Sequence, residues 1–399
     1  MKIKTNKEIY TGIEIADIHW GSQNPNALLF QLEESLIRFI GDLAYNKTPI
    51  DYIIICGDYF DSKLSLNSEQ SKLAIRFLKS LLTIVKPYGT KTRIIKGTKS
   101  HDERQLEVLT VFENTFDFRV VNTVEKEELF PDFKVLYIPE EYMVDKDEYY
   151  KEFFNDTYDM IFGHGMFKEM GMMALTQKSE DTHSKAPVFD SKEMINICRG
   201  PIYFGHIHIS QNIKDRVFYP GSFSRYCFGE ESTKGFFYTI YNTKEKTFSH
   251  DLIPNINAPL YDTIEITLRE GSDYDNSDII SLINSTYNNF YRDDTMKEYD
   301  HLRIRINLTN AITNPGSLIS IIRETFGNIK NLKIDVKNKI KEEKDVQVEN
   351  KVNELKKKYD FLFSRDFTPE EKISKYIKIN FDKDITIDEI RHYINLGDI

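Results

Sequence analysis

The sequence predicts an α/β fold from two observations. Short apolar segments with strand character recur along the first 250 residues, at 14–16, 52–56, 93–95, 135–138, 160–162, 202–204 and 235–240. Between the second and the third of them, residues 68–85 carry apolar side chains at helical spacing, which predicts an amphipathic helix. Strands that alternate with amphipathic segments in this way are typical of a sheet with parallel strands.

A second strand and helix pattern follows two prolines, Pro254 and Pro259. Strands at 263–268, 302–308 and 332–336 alternate with helices at 277–290 and 317–326, which predicts a small α/β module. After it come a charged stretch that is too poor in apolar residues to pack alone, and two short helices that each begin with a capping box. We therefore expect a first domain, a capping domain, a charged linker and a helical segment, with the bounds 1–255, 256–340, 341–366 and 367–399.

The composition excludes some functional classes and leaves others open. The sequence has no run of 18 apolar residues and its start lacks an apolar signal core, so we expect a cytoplasmic protein without a membrane span. The three cysteines show no paired spacing typical of a zinc site or a disulfide. The formal net charge of -10 argues against general attraction to nucleic acid, although bound cations or a local basic patch would still hold phosphate.

Five polar clusters follow predicted strands of the first domain. They are Asp17 with His19, Asp58 in GDYFD, His101 with Asp102 in GTKSHD, His164 in GHG, and His206 with His208 in GHIH. Residues two apart in an extended segment point the same way, so a pair such as Asp17 and His19 can share one cation. Each of these side chains alone is more often structural than catalytic, but ligand sites in α/β sheets lie at the carboxyl ends of strands. Five clusters at such ends therefore indicate a ligand site.

The residue types indicate divalent metal ions. Aspartates and imidazoles without a cysteine favour manganese, iron or zinc over a soft thiolate site. Two such ions about 3.5 to 4 Å apart would clamp a phosphate and activate a water, so the implied reaction is hydrolysis of a phosphoester. The sequence offers neither a recognisable Ser-His-Asp pattern nor a phosphate-binding P-loop as a competing chemistry.

The order of these motifs, D-x-H, GDxxD, HD, GHG and GHxH, resembles that of the calcineurin-like metallophosphoesterases. More narrowly, the chain resembles the SbcD branch, the meiotic-recombination-eleven type nucleases of DNA double-strand-break repair. This narrower resemblance rests on YPGS at 219–222, Arg225, FGE at 228–230 and KGF at 234–236. It implies a four-layer αββα sandwich for the first domain, followed by the capping domain and a C-terminal helical segment that binds a partner. The source could be a phage that encodes a recombination nuclease, which would place the protein in the host cytoplasm.

The resemblance also implies a role for each matched residue. Asp17, His19, Asp58 and His208 would hold a first metal, and Asp58, His164 and His206 a second. His101 would be the catalytic residue that stabilises the transition state or protonates the leaving oxygen, with Asp102 orienting its ring. The implied cofactors are two divalent metal ions, with Mn2+ as the preferred ion. The implied partners are DNA, an SbcC-type ABC ATPase with a coiled coil, and a second copy of the chain in a homodimer.

The chain departs from the family at the asparagine before the His-Asp pair. Where the family has GNHD, residues 97–102 read GTKSHD, with two additional residues and a hydroxyl. Alignment on His-Asp makes Ser100 the metal ligand, which is the assignment we adopt, whereas alignment on Gly97 makes it Thr98. Either hydroxyl is a poorer ligand than an amide carbonyl, so we expect the second metal to bind more weakly or to keep a water there. Because all the other ligands are present, we expect an active enzyme.

Two further sets of residues suggest macromolecular contacts. A basic stripe in the capping domain could follow a DNA backbone, or its lysines could protect a strand edge, and it contains Lys330, Lys333, Lys337 and Lys339. The two C-terminal helices carry apolar stripes, made of Ile373, Tyr376 and Ile377 in the first and Ile390, Tyr393 and Ile394 in the second. Helices this short need tertiary support, so they dock on the ATPase or pack back on the body of the protein.

The sequence thus predicts a metal-dependent DNA nuclease that acts with an ABC-type ATPase in DNA end processing, recombination and repair. We expect 3′ to 5′ exonuclease activity on duplex DNA and endonuclease activity on single strands or hairpins. One alternative is a metallophosphoesterase for small-molecule or protein phosphoesters. The other is a DNA-end-binding scaffold that no longer cuts, which only the altered GTKSHD stretch favours.

Overall fold

The structure is a computed structural model that describes residues 7–143, 145–170, 186–268, 274–290, 299–308, 315–338, 361, 368–381 and 383–390. Contacts divide the chain into two units, which we describe separately. The first unit comprises Met1–Thr263, Asp293–Arg303 and Asn328–Lys333, and the second comprises Ile264–Arg292, Ile304–Gly327 and Ile334–Ile399.

The first unit contains two six-stranded sheets, and each sheet includes four adjacent parallel strands. The first sheet consists of β1 (Ile9–Ile15), β2 (Tyr52–Cys56), β3 (Lys91–Ile95), β4 (Phe118–Val121), β13 (Gly235–Asn242) and β14 (Thr247–Pro254). Its order is β14-β13-β1-β2-β3-β4, in which β1 to β4 are parallel and β13 and β14 are antiparallel additions.

The second sheet consists of β5 (Glu125–Phe130), β6 (Phe133–Ile138), β7 (Met160–His164), β10 (Ile202–Gly205), β11 (Gln211–Ile213) and β12 (Val217–Tyr219). Its order is β11-β12-β10-β7-β6-β5, in which β12, β10, β7 and β6 are parallel and the two edge strands are antiparallel. Two short strands, β8 (Met166–Phe167) and β9 (Val188–Phe189), pair separately.

Four of the five described α-helices of the first unit begin at residues whose side chains accept hydrogen bonds from the first turn. The five are α1 (Pro25–Leu32), α2 (Arg38–Tyr45), α3 (Glu69–Val85), α4 (Lys146–Phe154) and α5 (Ser191–Ile197), and a π-helical turn at Glu33–Ile37 joins α1 to α2. Asn24 caps α1, Ser68 caps α3, Asp145 caps α4 and Asp190 caps α5. Short 3-10 segments cover Lys86–Tyr88, Glu103–Phe112 and Lys168–Met170.

The buried side chains of β2 alternate between two cores, as the period of a strand requires. Ile53 and Ile55 belong to a core shared with α1, α2 and α3, whereas Tyr52 and Ile54 belong to a core shared with the second sheet. A third core, which includes Tyr150, packs α4 and α5 on the far face of the second sheet. Helices, sheet, sheet and helices therefore form four layers, which confirms the predicted αββα sandwich.

The chain after Pro259 forms a three-stranded sheet with two helices. The strands are β15 (Tyr261–Thr267), β16 (His301–Leu308) and β17 (Asn331–Asn338) in that order, and the helices are α6 (Asn276–Phe290) and α7 (Pro315–Thr325). Each predicted strand and helix of this module is present. Further along, α8 (Pro369–Phe381) precedes a helical turn at 387–390. Among the described residues, no helix is both long and apolar enough to cross a membrane.

A carboxyl group lies in the core between the two sheets. Glu14 of β1 is fully buried, and its Oε2 accepts a hydrogen bond of 2.6 Å from the Thr239 hydroxyl. Within the described part of the chain, its Oε1 accepts no hydrogen bond of normal geometry. Burial raises the pKa of Glu14 to about 8, so at neutral pH the folded protein holds this side chain mostly as the neutral acid.

Replacing Glu14 should change how stability depends on pH. The folded-state pKa lies above that of the unfolded chain, so between about pH 4.5 and pH 8 only the folded state binds the proton. Stability from this group is full below that range and falls by about 1.4 kcal/mol per pH unit as the pH rises through it. We expect Glu14→Gln to raise the thermal midpoint at pH 8 and to change it little at pH 5. Glu152→Gln, at an exposed position, serves as the control and should shift neither value; equal effects of Glu14→Gln at both pH values would contradict the burial argument.

Candidate metal centre

Six parallel strands, three from each sheet, end at one cluster of polar side chains. Asp17 and His19 follow β1, Asp58 follows β2, Thr98 and His101 follow β3, Glu140 follows β6, His164 ends β7, and His206 and His208 follow β10. The ligand atoms form four overlapping groups, in each of which the atoms lie within 4.8 Å of one another. The groups are Asp17, His19 and His208; His19, Asp58 and His101; Asp17, Asp58 and His164; and Glu140, His164 and His206.

Asp58 lies at the centre of this cluster and is 2% exposed. Its Oδ2 lies 2.9 Å from His101 Nδ1, 3.3 Å from His164 Nε2 and 3.9 Å from His19 Nε2. Its Oδ1 accepts a hydrogen bond of 2.6 Å from the backbone N–H of Thr98. Although burial favours the neutral acid, the imidazoles of His164 and His101 hold the pKa of Asp58 well below its ordinary value.

A second group of donors surrounds His208. Its Nε2 lies 3.0 Å from His19 Nε2, and the Asp17 Oδ1 lies 4.0 Å from that same His19 atom. On its other side, His208 Nδ1 lies 2.6 Å from Glu230 Oε1. Burial disfavours charge on the ring, but the Glu230 carboxylate raises the pKa of His208, and the pKa of Glu230 is lowered to about 2. Glu230 in turn forms an ion pair with the buried Lys234.

The loops that carry these ligands are held in unusual backbone conformations. Asp17, His19 and Asp58 have φ values of 51°, 51° and 50°, and His206 has a φ of 98°. A side chain with a Cβ rarely adopts this left-handed region, so each position stores strain. Main-chain hydrogen bonds between the loops offset it: the N–H groups of Asp17 and His19 donate to the carbonyls of Gly57 and Asp58, at 3.1 and 3.0 Å.

The donor set fits divalent cations. The Nδ1 atoms of His164 and His208 lie 2.8 and 2.6 Å from Cys56 O and Glu230 Oε1, so each neutral ring keeps its proton on Nδ1 and turns an Nε2 lone pair inward. His164 Nε2 then faces Asp58 Oδ2 at 3.3 Å, and a lone pair repels a carboxylate oxygen unless a proton or a cation lies between them. Burial opposes protonation of His164, but the Asp58 carboxylate raises the pKa of His164 well above its ordinary value, so this position favours positive charge. Oxygen and imidazole donors together suit Mn2+, Fe2+ or Zn2+.

The predicted role of Asp102 is wrong. His101 Nδ1 faces Asp58, and Asp102 is fully buried among backbone donors. Its carboxylate accepts hydrogen bonds from the N–H groups of Phe60 and Gly97, at 3.0 and 2.9 Å. Asp102 therefore joins the loop after β2 to the loop after β3 instead of orienting the His101 ring. Burial and the nearby Asp58 raise the pKa of Asp102 to about 7.

The assignment of Ser100 as a ligand is also corrected. Ser100 is exposed, whereas Thr98 is buried and its hydroxyl lies 3.1 Å from Asp58 Oδ2 and 3.3 Å from His164 Nε2. The carbonyl of Thr98 accepts hydrogen bonds from the N–H groups of His101 and Asp102, at 2.9 and 3.0 Å. This turn places Lys99 and Ser100 on the surface, so Thr98 and His101 reach the cluster and Ser100 does not.

Two acidic residues of the cluster were not assigned from the sequence. Glu140 is 3% exposed, and its Oε2 lies 3.3 Å from His206 Nδ1 and 3.9 Å from His164 Nε2. Burial alone would raise its pKa, but the imidazoles of His206 and His164 lower it. The signal for Glu140 was its position two residues after the predicted strand 135–138, beyond Pro139. Glu230 was quoted only as part of FGE, and its partner His208 lies 22 residues earlier.

The predicted contact residues outside the cluster are only partly described. Lys333 is exposed and Lys337 half-buried on β17, an edge strand, and Lys330 is exposed just before it. Residues two apart on a strand share a face, so Lys333 and Lys337 lie on one side of this edge. Both readings of the lysines, DNA contact and edge protection, are compatible with that position. Lys339 lies outside the described residues.

The C-terminal helices have the predicted capping boxes. The hydroxyl of Thr368 accepts from the N–H of Glu371, whose carboxylate accepts from the Thr368 N–H, and Thr386 and Glu389 repeat the arrangement. On α8, Ile373 and Tyr376 are exposed and Ile377 is half-buried. Ile390 is 3% exposed, so the prediction that it faces a partner is corrected: it packs within this chain. Tyr393 and Ile394 lie outside the described residues.

Comparison with known proteins gives a distant similarity. The chain is 25% identical over 208 residues to a protein of Invertebrate iridescent virus 6 described as "Putative phosphoesterase 244L", over 50% of this chain and 67% of the viral protein. No family model matches the chain. The similarity and the clustered ligands together support a metal-dependent phosphoesterase with an α/β sandwich fold.

Asp102→Asn should destabilise the protein, because the amide group cannot accept hydrogen bonds from both Phe60 and Gly97 and leaves a buried donor unpaired. We expect a loss of about 1 to 3 kcal/mol in the free energy of unfolding, measured by denaturant titration in the presence of a chelator. Glu103→Gln, at a partly exposed carboxylate that follows Asp102 and pairs with the exposed Lys63, is the matched control and should change stability by less than about 0.5 kcal/mol. If Asp102→Asn is as stable as the wild type, Asp102 does not hold the two loops together, and the original prediction that it orients the His101 ring would be favoured.

Proposed function

We propose that the protein is a DNA nuclease that hydrolyses phosphodiester bonds with a pair of divalent cations, of which Mn2+ is preferred. It would act as a 3′ to 5′ exonuclease on duplex DNA and as an endonuclease on single strands or hairpins. The observation that carries the proposal is the convergence of carboxylates and imidazoles from six strand ends on the buried Asp58. The motif order that resembles the SbcD branch supports DNA as the substrate.

Asp58 suits a site for two cations because it faces both halves of the cluster. Its Oδ2 lies 3.9 Å from His19 Nε2 on one side and 3.3 Å from His164 Nε2 on the other. Asp17, His19 and His208 would complete the first set of ligands, and His164 and His206 the second. When bound, two divalent cations would neutralise charge on the phosphodiester and make a water a stronger nucleophile.

His101 would act on the leaving oxygen. Its side chain is 28% exposed, whereas the ligands Asp58 and His164 are almost completely buried, so a phosphodiester at the surface of the cluster can reach it. Its Nδ1 is held 2.9 Å from Asp58 Oδ2, which fixes the ring. Its other ring nitrogen would then donate a proton to the departing oxygen of the DNA strand.

The segment that narrows the resemblance to the SbcD branch packs behind His208. Glu230 fixes the His208 ring, and the ammonium of Lys234 donates to the carbonyl of His208 at 2.8 Å and to the Ser222 hydroxyl at 2.9 Å. Residues from YPGS, FGE and KGF thus hold one ligand of the first cation. This placement supports the resemblance with a physical role for its residues.

The proposed assembly is a homodimer that works with an SbcC-type ABC ATPase. A groove beside α3, lined by Leu64, Leu66, Ile75 and Val108 among others, supports the homodimer, since exposed apolar patches mark interaction surfaces. Exposed Ile373 and Tyr376 on α8 support an ATPase contact. Hydrolysis of a small-molecule phosphoester does not require a C-terminal helix with an exposed apolar face, so this helix favours the nuclease with a partner.

His101→Ala should reduce Mn2+-dependent degradation of a labelled DNA duplex by about 10²-fold or more, as expected when a general acid is removed. Bound Mn2+ should stay at the wild-type stoichiometry, which separates lost chemistry from lost cations. Bis(p-nitrophenyl) phosphate provides a second substrate: activity on it without any activity on DNA would favour the small-molecule phosphoesterase. DNA binding without cleavage by the wild type would favour the scaffold, and equal rates for both proteins would remove His101 from the mechanism.

Ile373→Asp combined with Tyr376→Asp should abolish co-purification with a co-expressed SbcC-type ATPase, because two charges would replace the apolar face of α8. Lys372→Asp combined with Lys375→Asp alters charge on the same helix and is the matched control. Mn2+-dependent cleavage of single-stranded DNA should persist in both. Undiminished co-purification of the first variant would show that the ATPase contacts another surface.

A further inference from the structure

Glu140 has no role in the motif pattern, yet its carboxylate points into the cluster. It follows β6, and its N–H donates to the carbonyl of Lys96 at 3.1 Å, which fixes the backbone there. Its Oε1 accepts a hydrogen bond of 3.1 Å from the Tyr142 hydroxyl. Its Oε2 is thereby directed at His206 Nδ1 and His164 Nε2, at 3.3 and 3.9 Å.

The separations among these atoms suit a shared cation. In an octahedral shell with ligands about 2.1 Å from the ion, adjacent ligand atoms lie about 3.0 Å apart and opposite ones about 4.2 Å apart. The distances from Glu140 Oε2 to the two imidazole nitrogens, 3.3 and 3.9 Å, fall within these limits. So does the 3.3 Å from His164 Nε2 to Asp58 Oδ2. Oxygen from Glu140 therefore occupies a ligand position relative to both histidines.

We propose that Glu140 is a ligand of the second divalent cation and supplies there the strong oxygen donor that the asparagine would otherwise give. This inference rests on the proposed function, because it assumes the second cation. Thr98 stands in the asparagine position, but its hydroxyl is neutral and already hydrogen-bonded to Asp58. With Glu140 the second site has two carboxylates, Asp58 and Glu140, besides His164 and His206.

An anionic ligand changes what the second site binds. A carboxylate attracts a divalent cation more strongly than an amide or a hydroxyl does, and carboxylate oxygen favours Mn2+ over softer ions. The second cation is then held at least as tightly as it would be by the asparagine, in contrast to the weak binding expected from the sequence alone. The altered loop and the additional carboxylate compensate each other.

The competing role for Glu140 is to accept a hydrogen bond from His206 and so position its ring. Glu140→Gln separates the two roles, since the glutamine oxygen still accepts that hydrogen bond but no longer carries a charge for the cation. The neighbouring Glu141 provides a matched control. It is also buried, but its carboxylate accepts hydrogen bonds from the Val124 N–H and the Tyr149 hydroxyl, at 2.9 and 2.8 Å.

The test is Mn2+ binding to the full-length protein, measured by calorimetry and by electron paramagnetic resonance, without any DNA. We expect the wild type and Glu141→Gln to bind two Mn2+ with the signal of a coupled pair. Glu140→Gln should bind the second Mn2+ more than about tenfold more weakly, and its spectrum should become that of isolated Mn2+. Adding Thr98→Asn to Glu140→Gln should restore part of the second binding event. Thermal midpoints in a chelator establish that each variant is folded. Glu140→Asp, whose shorter side chain withdraws the carboxylate from the cation, repeats the test and replaces Glu140→Gln if that variant does not fold.

The possible failures are distinguishable. If Glu140→Gln and Glu140→Asp both bind two Mn2+ with wild-type affinity and coupling, Glu140 is not a ligand, and the two-cation nuclease still stands. If the wild type binds fewer than two Mn2+, both this inference and the two-cation mechanism are wrong. If Glu141→Gln loses the second cation as well, the effect arises from the segment after β6, and the assignment to Glu140 fails.

Discussion

Neutralising the buried carboxylate of Asp58 is the constraint on which the rest of the site depends. A carboxylate that is 2% exposed is strongly destabilised unless opposite charge and hydrogen bonds surround it. The backbone N–H and hydroxyl of Thr98 supply hydrogen bonds, and His101, His164 and His19 supply imidazoles. Those side chains come from three different strand ends, and Asp58 itself follows a fourth. Their convergence fixes how closely the two sheets approach each other at this edge.

That close approach explains two glycines that border the site. Gly57 has a φ of 84°, and a Cβ there would lie 2.1 Å from His164 Nδ1. Gly205 would place a Cβ 2.0 Å from the carbonyl of Cys56, the same carbonyl that accepts the His164 hydrogen bond. Strands from opposite sheets can therefore meet only where side chains are absent. The histidine ligand is oriented by the backbone of the other sheet, which ties the geometry of the site to the packing of the sandwich.

Much of the fold could be predicted because a parallel strand in a sandwich is a run of apolar residues that is easy to recognise. The strand ends then indicated which candidate ligands lie together, since parallel strands of one sheet end on the same side. The helical region at 25–45 was not predicted, although Leu28, Leu32 and Leu36 recur at helical spacing and pack in the core. The domain bounds remain a prediction, and β15 begins at Tyr261, shortly after the predicted boundary.

The site was harder to predict where an atom's direction matters more than a residue's place in the chain. Asp102 follows His101 directly, but adjacent residues need not face each other, and the carboxylate turns to the N–H groups of Phe60 and Gly97. The choice between Thr98 and Ser100 depended on where the two additional residues protrude, which a turn closed on the Thr98 carbonyl decides. Glu140 belongs to no recognised motif, so only its position in space connects it with His206.

The charges in the cluster bear on whether the altered stretch GTKSHD marks a site that has lost its cations. A site that had lost its cations would be expected to lose its buried carboxylates as well, because like charges packed together oppose folding. Instead Asp17, Asp58 and Glu140, at 0%, 2% and 3% exposure, stay together with the imidazoles around them. In the protein without cations the imidazoles must take up protons to balance these charges, as the raised pKa of His164 indicates. Divalent cations would supply the same positive charge, and the imidazole rings could then stay neutral. The retained buried carboxylates therefore favour a metal-binding centre over a core that merely contains histidines.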